Sequence, residues 1–588
     1  MNRLFLLCPL FVMLAGAQPA TMFPPVRGTR EMVGAGNNFQ VEAGWRMLTT
    51  GGNAVDAGVA GILAATVTEQ SRIGLGGEVP MLIQMAGKPA IAISGVGTAP
   101  ALATPEYYRA RKPEPWEEPS RMAPIPSIGL KAAIVPGMFD GLMLALSQHG
   151  TKSYCEAAQP AIEAAHGFPI PDEYARFIGE LRNFLHLWPA SEQFFLPGGE
   201  PPKRGEIFRS PTLAATLESL CSVEKNAKGD RAAKLQAVRD EFYRGAIGHK
   251  LADFSQANEG LLRYEDLAKF HAESDKPVVG TYRGYGIVKP GFWTQGPVMI
   301  QALNILERFD LKAMRHNSPE YLHTVVEALK LAFADRDRFY GDPKFSKIPA
   351  ETLLSKEYAA DRAKLIDPEH ASIEHRPGNL GDPMALASNT HGQSVDHDTT
   401  CINVVDRFGN VFSATPSGAW LPSVIAGDTG IPYSMRLESF VLTAGHANLL
   451  APGKRPRVTL SPTIVLKDGK PWLAMSTPGG DNQDQAMLQV LLENLIDFGM
   501  SPQEAVEVPR LQTEHFYASF GNHELSPGRV NIESRIPEAT AKKLLEKGHR
   551  LAILGPWSNG SAPTVIRIDN GVLDGGADPR RSRFIFGR

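Results

Sequence analysis

Asp396-His397-Asp398-Thr399-Thr400-Cys401-Ile402-Asn403-Val404-Val405-Asp406 runs a polar, irregular segment straight into an alternating strand that opens on threonine. A threonine hydroxyl is a weak nucleophile at neutral pH, whereas an α-amine has a reference pKa of about 7.7–8.0. A cut before Thr399 would therefore give one residue both a nucleophile and its own base. A Thr-Thr pair at the start of a strand is by itself only a good β-former at a sheet edge, so the flanking sequence has to carry the argument.

Upstream, Arg376-Pro377-Gly378-Asn379-Leu380-Gly381-Asp382-Pro383 and the residues up to Asp398 are rich in turn formers and lack a sustained apolar period, which predicts an exposed linker. Downstream, Ile402 to Val405, the turn Asp406-Arg407-Phe408-Gly409-Asn410 and Val411 to Thr415 form a hairpin pattern. Thr399 is thus expected at the mouth of a sheet beside a loop. Two more hairpins are expected around Lys467-Asp468-Gly469 and Asp569-Asn570-Gly571. Helices and strands alternate over the first 340 residues, and about Pro319 to Leu365 reads as mostly helical. Within it, Glu327 to Phe339 has an amphipathic period through Ala328, Leu331 and Ala332. Ser501-Pro502-Gln503-Glu504 reads as a capping box with proline at the first helical position.

Beyond these local patterns, Gly51-Gly52-Asn53-Ala54-Val55-Asp56-Ala57, Ile73-Gly74-Leu75-Gly76-Gly77, Val135-Pro136-Gly137, Glu327-Ala328-Leu329-Lys330, Lys454-Arg455-Pro456, Ser461-Pro462-Thr463, Pro478-Gly479-Gly480 and Gly576-Ala577-Asp578-Pro579-Arg580 follow one another along almost the whole chain. In that order and spacing the sequence resembles the γ-glutamyltranspeptidase family of N-terminal-nucleophile hydrolases. The resemblance implies an α/β fold, a four-layer αββα sandwich, built by a precursor that cuts itself before Thr399. The large subunit would be residues 18–398, ending in the linker, and the small subunit residues 399–588; the two would stay associated. No cofactor is implied. The substrate implied is a small-molecule amide or γ-glutamyl compound, whose acyl group passes through Thr399 to water or an amine.

By position, the resemblance makes Thr399 nucleophile and base, gives the Gly479 and Gly480 N–H groups the oxyanion, and makes Ser417 a second hydroxyl that orients the nucleophile. Two glycines after the strand Trp472 to Met475 also suit this on their own, since backbone donors then approach a substrate with no Cβ in the way. The plain alternatives are a tight turn at Gly479-Gly480 and a solvated turn residue at Ser417. The substrate-binding positions depart from the family. Its arginine for the substrate α-carboxylate is Val96 here, its asparagine two residues past the second hydroxyl is Ala419, its acidic residue for the substrate amine is Ser439, and its paired serines are Val458 and Thr459. A bidentate charge clamp is lost. Arg436 or Arg457 could supply a relocated positive charge; the plain reading of either is a solvated surface side chain. The expectation is an acylase-like member with little activity on glutathione. The alternatives are an ordinary γ-glutamyltransferase with a rearranged carboxylate site and a secreted binding protein that has lost catalysis.

Composition fits an exported enzyme. The 43% hydrophobic content is enough for a large core, and 60 basic against 63 acidic side chains give a net charge of −3, which offers nothing to nucleic acid or an anionic membrane. Met1-Asn2-Arg3, the apolar run Leu4 to Leu14 and Ala15-Gly16-Ala17 read as a signal peptide (residues 1–17) with a mature start at Gln18. The apolar run is shorter than the roughly 20 residues that span a bilayer, so no stable membrane anchor is expected, and the location is periplasmic or secreted. Cys8 leaves with the signal; Cys155, Cys221 and Cys401 allow at most one bridge and show no zinc spacing. Cys401 is read as a buried strand cysteine. No His-Glu-x-x-His helix and no Gly-x-Ser-x-Gly elbow occurs, and no metal site is assigned; His391 and His397 beside Asp396 make a poor one in a linker.

Overall fold

Ile402–Val405 and Val411–Ala414 pair antiparallel, with Ile402 opposite Ala414. The turn between them is closed by Asp406, whose carboxylate accepts the Phe408 and Asn410 backbone N–H groups at 2.9 Å each. The ladder begins at Ile402, so the strand opens later than the sequence pattern places it. Thr399 joins only through an isolated bridge to Ser417. In this computed structural model the described residues are 21–381 and 398–588. The signal peptide, the start at Gln18, and residues 382–397 of the linker, with His391, Asp396 and His397, lie outside them.

The hairpin occupies the middle of a seven-stranded sheet in the order Phe584–Gly587, Met32–Ala35, Ile402–Val405, Val411–Ala414, Val79–Gln84, Ile91–Gly95, Glu273–Asp275. A second seven-stranded sheet runs Val26–Gly28, Val572–Ala577, Thr564–Asp569, Lys470–Ser476, Thr463–Lys467, Tyr285–Lys289, Val278–Tyr282. Every pairing in both is antiparallel.

Strand alternation sorts the side chains into layers. Val405, Val411, Ile464, Ala474, Ile566 and Val288 share one apolar cluster between the sheets. Their neighbours face outward. Val404 and Phe412 meet the helices Asn38–Thr49, Ala54–Thr68 and Tyr154–His166, while Val465, Leu473 and Val565 meet Pro297–Leu306, Pro319–Phe339 and Gln483–Gln489. The result is the expected four-layer αββα sandwich. The Gly51 to Ala57 motif now has a local reason: Asn53 and Asp56 form a capping box that starts Ala54–Thr68, and a Cβ on the following Gly58 would come within 2.4 Å of the Phe412 ring. That helix can lie against the sheet only because Gly58 has no side chain.

Two expectations need correction. The later hairpins turn on two residues, not three: Asp468 and Gly469 have φ of 52° and 74°, Asn570 and Gly571 of 50° and 79°, the left-handed pair a tight hairpin requires. The Glu327 to Phe339 segment is part of a 21-residue helix that is buried on nearly all sides. Its charged residues face partners: Lys330 pairs with Glu327 at 2.6 Å and Arg336 with Asp337 at 2.7 Å. A second cover, which includes Glu538–Glu546 and Leu511–Thr513, closes the side that periodicity alone reads as solvent-facing.

Candidate active site

Thr399 is buried at the end of the central hairpin, with Oγ1 3.0 Å from Ser417 Oγ. Ser417 Oγ also lies 3.0 Å from the Asp398 carbonyl oxygen and accepts from Arg436 Nη2 at 3.0 Å. Arg436 can only donate. When the single Ser417 proton goes to the Asp398 carbonyl, Thr399 O–H is left to donate to Ser417, which polarises the Asp398–Thr399 bond and loosens the threonine proton together. Ser417 is fully buried, not a solvated turn residue, and its N–H donates to the Glu78 carbonyl at 2.9 Å.

Arg436 is also fully buried, contrary to the surface reading. Its Nε pairs with Glu78, whose second oxygen accepts from Ser434 Oγ at 2.6 Å, and its guanidinium lies 4.5 Å from the Trp420 ring centroid. A Cβ on Gly418, where φ is +77°, would sit 2.1 Å from the Glu78 carboxylate, so this ion pair depends on glycine there. The charge of Arg436 is thus already matched.

Asp398 sits between Arg72 Nε, at 2.5 Å, and Arg581. Although burial favours its neutral form, these two guanidinium groups hold its carboxyl down to about 2. A depressed folded pKa stabilises above the ordinary value of about 3.9 and loses that stabilisation as pH falls through the folded value. In a precursor held uncut by Thr399→Ala, Asp398→Asn is expected to lower unfolding stability by roughly 2–3 kcal/mol at pH 7. The gap should close between about pH 4 and pH 2 in denaturant titrations, and a pH-independent gap would contradict this account.

Pro478-Gly479-Gly480 follows the strand Lys470–Ser476 and leads into the helix Gln483–Gln489. Gly479 has φ +120° and Gly480 φ +54°, and a Cβ on Gly479 would lie 2.6 Å from Ser561 Oγ. Neither N–H donates to an acceptor among the described residues. The turn is anchored from behind: Gln295 Nε2 donates to the Gly480 carbonyl at 3.2 Å, and Asp481 accepts from Arg336 and Ser519. It is tied to the Thr399 region through Arg581, which joins Asp398 to the Gly560 carbonyl beside Gly479.

The structure keeps Val96 apart from these polar groups. It packs with Trp293, Val458 and Leu460 in a small buried apolar cluster, so two of the departures from the family pattern lie together. Ala419 has φ +39°, a conformation that asparagine tolerates better than alanine. The Ser439 and Thr459 hydroxyls are buried without a hydrogen-bond partner. Asn448 links their segments, donating to the Ser439 carbonyl at 2.6 Å and accepting from the Arg457 N–H at 2.9 Å. Arg457 itself is only 5% exposed and is no solvated surface residue. Burial, with Arg336 nearby, pulls its pKa down to about 10 against the opposing pull of Asp481 and Asp337, so it stays charged at neutral pH.

Residues 41–587 match the family model Gamma-glutamyltranspeptidase. The chain belongs to the γ-glutamyltranspeptidase family. It is 34% identical over 557 residues to the acylase ACY 1 proenzyme of Pseudomonas sp. (strain SE83), covering 94% of this chain and 92% of the relative. It is 33% identical over 577 residues to the glutathione hydrolase proenzyme of Escherichia coli (strain K12), covering 95% and 92%. Among solved structures, the cephalosporin acylase from Bacillus halodurans superposes with a TM-score of 0.83 at 28% identity over 99% of both chains. This chain is a hydrolytic enzyme of the γ-glutamyltranspeptidase family.

Within the family frame, sequence reasoning misses Glu78, Arg72 and Arg581, which lie 358 residues from Arg436 and 326 and 183 residues from Asp398. The Gly76-Gly77-Glu78 run held the only local signal for Glu78: a Cβ on Gly77 would meet the Ser417 carbonyl at 2.2 Å. Cys401 is fully buried with Sγ 3.6 Å from Thr564 Oγ1, the packing role read from the sequence. Elsewhere, His323, Glu327 and His549 bring possible metal-ligand atoms within 4.8 Å of one another. Both Glu327 oxygens already accept from the Lys330 and Arg376 cations, and the two imidazoles hydrogen-bond each other at 2.9 Å. Nearby positive charge opposes a metal there. Among the described residues no helix is long and apolar enough to cross a membrane.

Proposed function

We propose that this chain is an exported precursor that cuts its own Asp398–Thr399 bond and then works as an N-terminal threonine amidohydrolase and acyltransferase with acylase-type specificity. The observation that carries this reading is the single Ser417 hydroxyl shared, at 3.0 Å each, between Thr399 Oγ1 and the Asp398 carbonyl. In the cutting step the Thr399 oxygen bonds to the Asp398 carbonyl carbon, the C–N bond breaks, and the hydroxyl proton ends on the released α-amine. Water then hydrolyses the ester, leaving Asp398 as a carboxylate. Each sheet combines strands from both sides of residue 398, hydrogen-bonded to one another, so the two subunits would remain interlocked.

In turnover the freed α-amine takes the Thr399 hydroxyl proton as the oxygen attacks a substrate amide. The Gly479 and Gly480 N–H groups hold the oxyanion, a role worth about 10²–10³-fold per donor. The leaving amine takes the proton, and the acyl-threonine passes its acyl group to water or another amine. Relatives named as acylases and as glutathione hydrolases match this chain about equally. The acyl site decides between them: with Val96 and Val458 in an apolar cluster and Ala419 and Ser439 in place of polar and acidic groups, the zwitterionic end of a γ-glutamyl group loses its clamps. Glutathione hydrolysis is accordingly expected to be weak beside that of simple acyl amides.

Intact mass of the purified protein tests the first step, with the expected fragment beginning at Thr399. Ser417→Ala should slow the cut by about 10²-fold, judged against the loss of one oriented donor in other acyl-transfer sites. A wild-type protein that stays whole, or a Ser417→Ala chain that cuts at the normal rate, would overturn the mechanism. A panel of acyl and γ-glutamyl anilides tests the specificity, and a dominant γ-glutamyl rate would return the assignment to an ordinary γ-glutamyltransferase.

A further inference from the structure

Cys155 and Cys221 take no part in the chemistry above, and both are free thiols in this structure. They sit where two helices meet: Cys155 in the first turn of Tyr154–His166, Cys221 in Pro211–Asn226. The register of that contact is fixed. Glu224 accepts the Tyr154 and Cys155 backbone N–H groups, one on each carboxylate oxygen, at 2.8 Å each. Toward the other end, Tyr154 Oη donates to the Leu217 carbonyl at 3.4 Å. Leu217, Cys221 and Glu224 follow one another at helical spacing along one face. The first turn of one helix is therefore held on both sides of the turn of the other that carries Cys221.

Inside that clamp the two thiols are hydrogen-bonding neighbours of each other. Cys221 is buried and Cys155 half-buried, so access is from the Cys155 side. Cys401 does not compete for either, since it is fully buried in the central hairpin with its sulfur against Thr564.

We infer that Cys155 and Cys221 are a modification site, oxidised in the exported protein to a disulfide that staples these two helices together. Only the exported location rests on the proposed function. Oxidising compartments keep such bonds, and the oxidant is itself a disulfide, such as oxidised glutathione or an oxidising protein disulfide. The Cys155 thiolate attacks one sulfur of the oxidant and releases the other; the Cys221 thiolate then attacks the Cys155 sulfur and releases the first. The Cys155–Cys221 bond forms, two electrons pass to the oxidant, and the two protons lost by the cysteines end on its two thiols. Burial raises both thiols in the docked helices, and Glu224 adds to it, so little thiolate is left there. Closure is accordingly a step of folding, before the helices are fully packed. The bond would close a long loop that includes Asp172–Leu185 and Pro189–Phe195, and long loops are where a cross-link restrains the unfolded chain most. It would also steady a support for the chain beyond residue 398, because Thr216 on Pro211–Asn226 donates to the Thr429 carbonyl at 2.7 Å.

The test uses the full chain directed to a bacterial periplasm by an added signal peptide, so that its own export is not at issue. Thiols are alkylated in denaturant without reductant, and the digest is read by mass. The expected result is a Cys155–Cys221 linked peptide, lighter by the two thiol hydrogens, in the wild type, in Cys401→Ser and in Thr399→Ala. Its presence in the Thr399→Ala chain separates this inference from the self-cutting reading, which can fail without it. Cys155→Ser and Cys221→Ser should each lack the link. The bridged wild type should melt roughly 2–5 °C above the same protein reduced with dithiothreitol, while Cys155→Ser should melt alike with and without reductant. Full alkylation of both cysteines in the periplasmic protein, a link that uses Cys401 instead, or equal melting of the bridged and reduced forms would overturn the assignment.

Discussion

Thr399→Ala is expected to remain a single chain and to lose amide hydrolysis by about 10⁴–10⁶-fold, the scale seen when a nucleophile that acts as part of a unit is removed. In the proposed mechanism the same oxygen serves the cut and turnover, so both are expected to fail together. The fold should survive: the substitution removes one hydrogen bond to Ser417, worth about 1 kcal/mol, from a residue held mainly by backbone contacts. Thr399→Ser keeps the hydroxyl and should still cut. Thr400 is the one rival nearby, with a buried Oγ1 that has no hydrogen-bond partner. Its N–H is held by the Pro416 carbonyl at 3.1 Å, however, and its hydroxyl makes no hydrogen bond to Ser417 Oγ. Intact mass separates the two positions by one threonine residue. A Thr399→Ala chain that cuts normally, or a fragment starting at Thr400, would remove Thr399 from the mechanism.

What was legible in the sequence was local. The central hairpin, the Asp468-Gly469 and Asn570-Gly571 turns and the Ser501 capping box are each set by a few neighbouring residues whose backbone preferences leave little choice, and each is present. The four-layer fold and the Thr399, Ser417 and Gly479-Gly480 positions came from motif order along the whole chain. The remainder is long-range pairing. Arg436 finds Glu78 across 358 residues and Arg72 finds Asp398 across 326, and no periodicity carries such information. Burial of Arg436, Arg457 and the charged face of Pro319–Phe339 escapes the sequence for the same reason: a lone charged residue reads as solvated unless its distant partners, Glu78 for Arg436 and Ser519 for Arg457, are known. The departures at Val96 and Val458 were visible as substitutions, but their packing together against Trp293 was not.

Arg436→Met is expected to have the second-largest effect, and it separates two roles that the geometry joins. Glu78 is fully buried, packed against the Gly418 backbone, and apart from Arg436 its carboxylate is held by Ser434 at 2.6 Å. Removing the guanidinium leaves a buried carboxylate without its counter-ion, which costs about 3–5 kcal/mol. The cation over the Trp420 ring is lost as well, for roughly another 1 kcal/mol. Denaturant unfolding should show that loss together with slow or absent cutting before Thr399. Pairing the change with Glu78→Gln removes the unmatched charge, and a neutral amide can still bond Ser434, so the double variant should regain most of the stability. It does not return the Nη2 donor that lies 3.0 Å from Ser417 Oγ. If stability returns while cutting stays slow, Arg436 acts on the reaction by positioning Ser417 and fixing which way its single proton points. If cutting returns with stability, Arg436 is the counter-ion of Glu78 and nothing more, and Ser417 orients Thr399 without it.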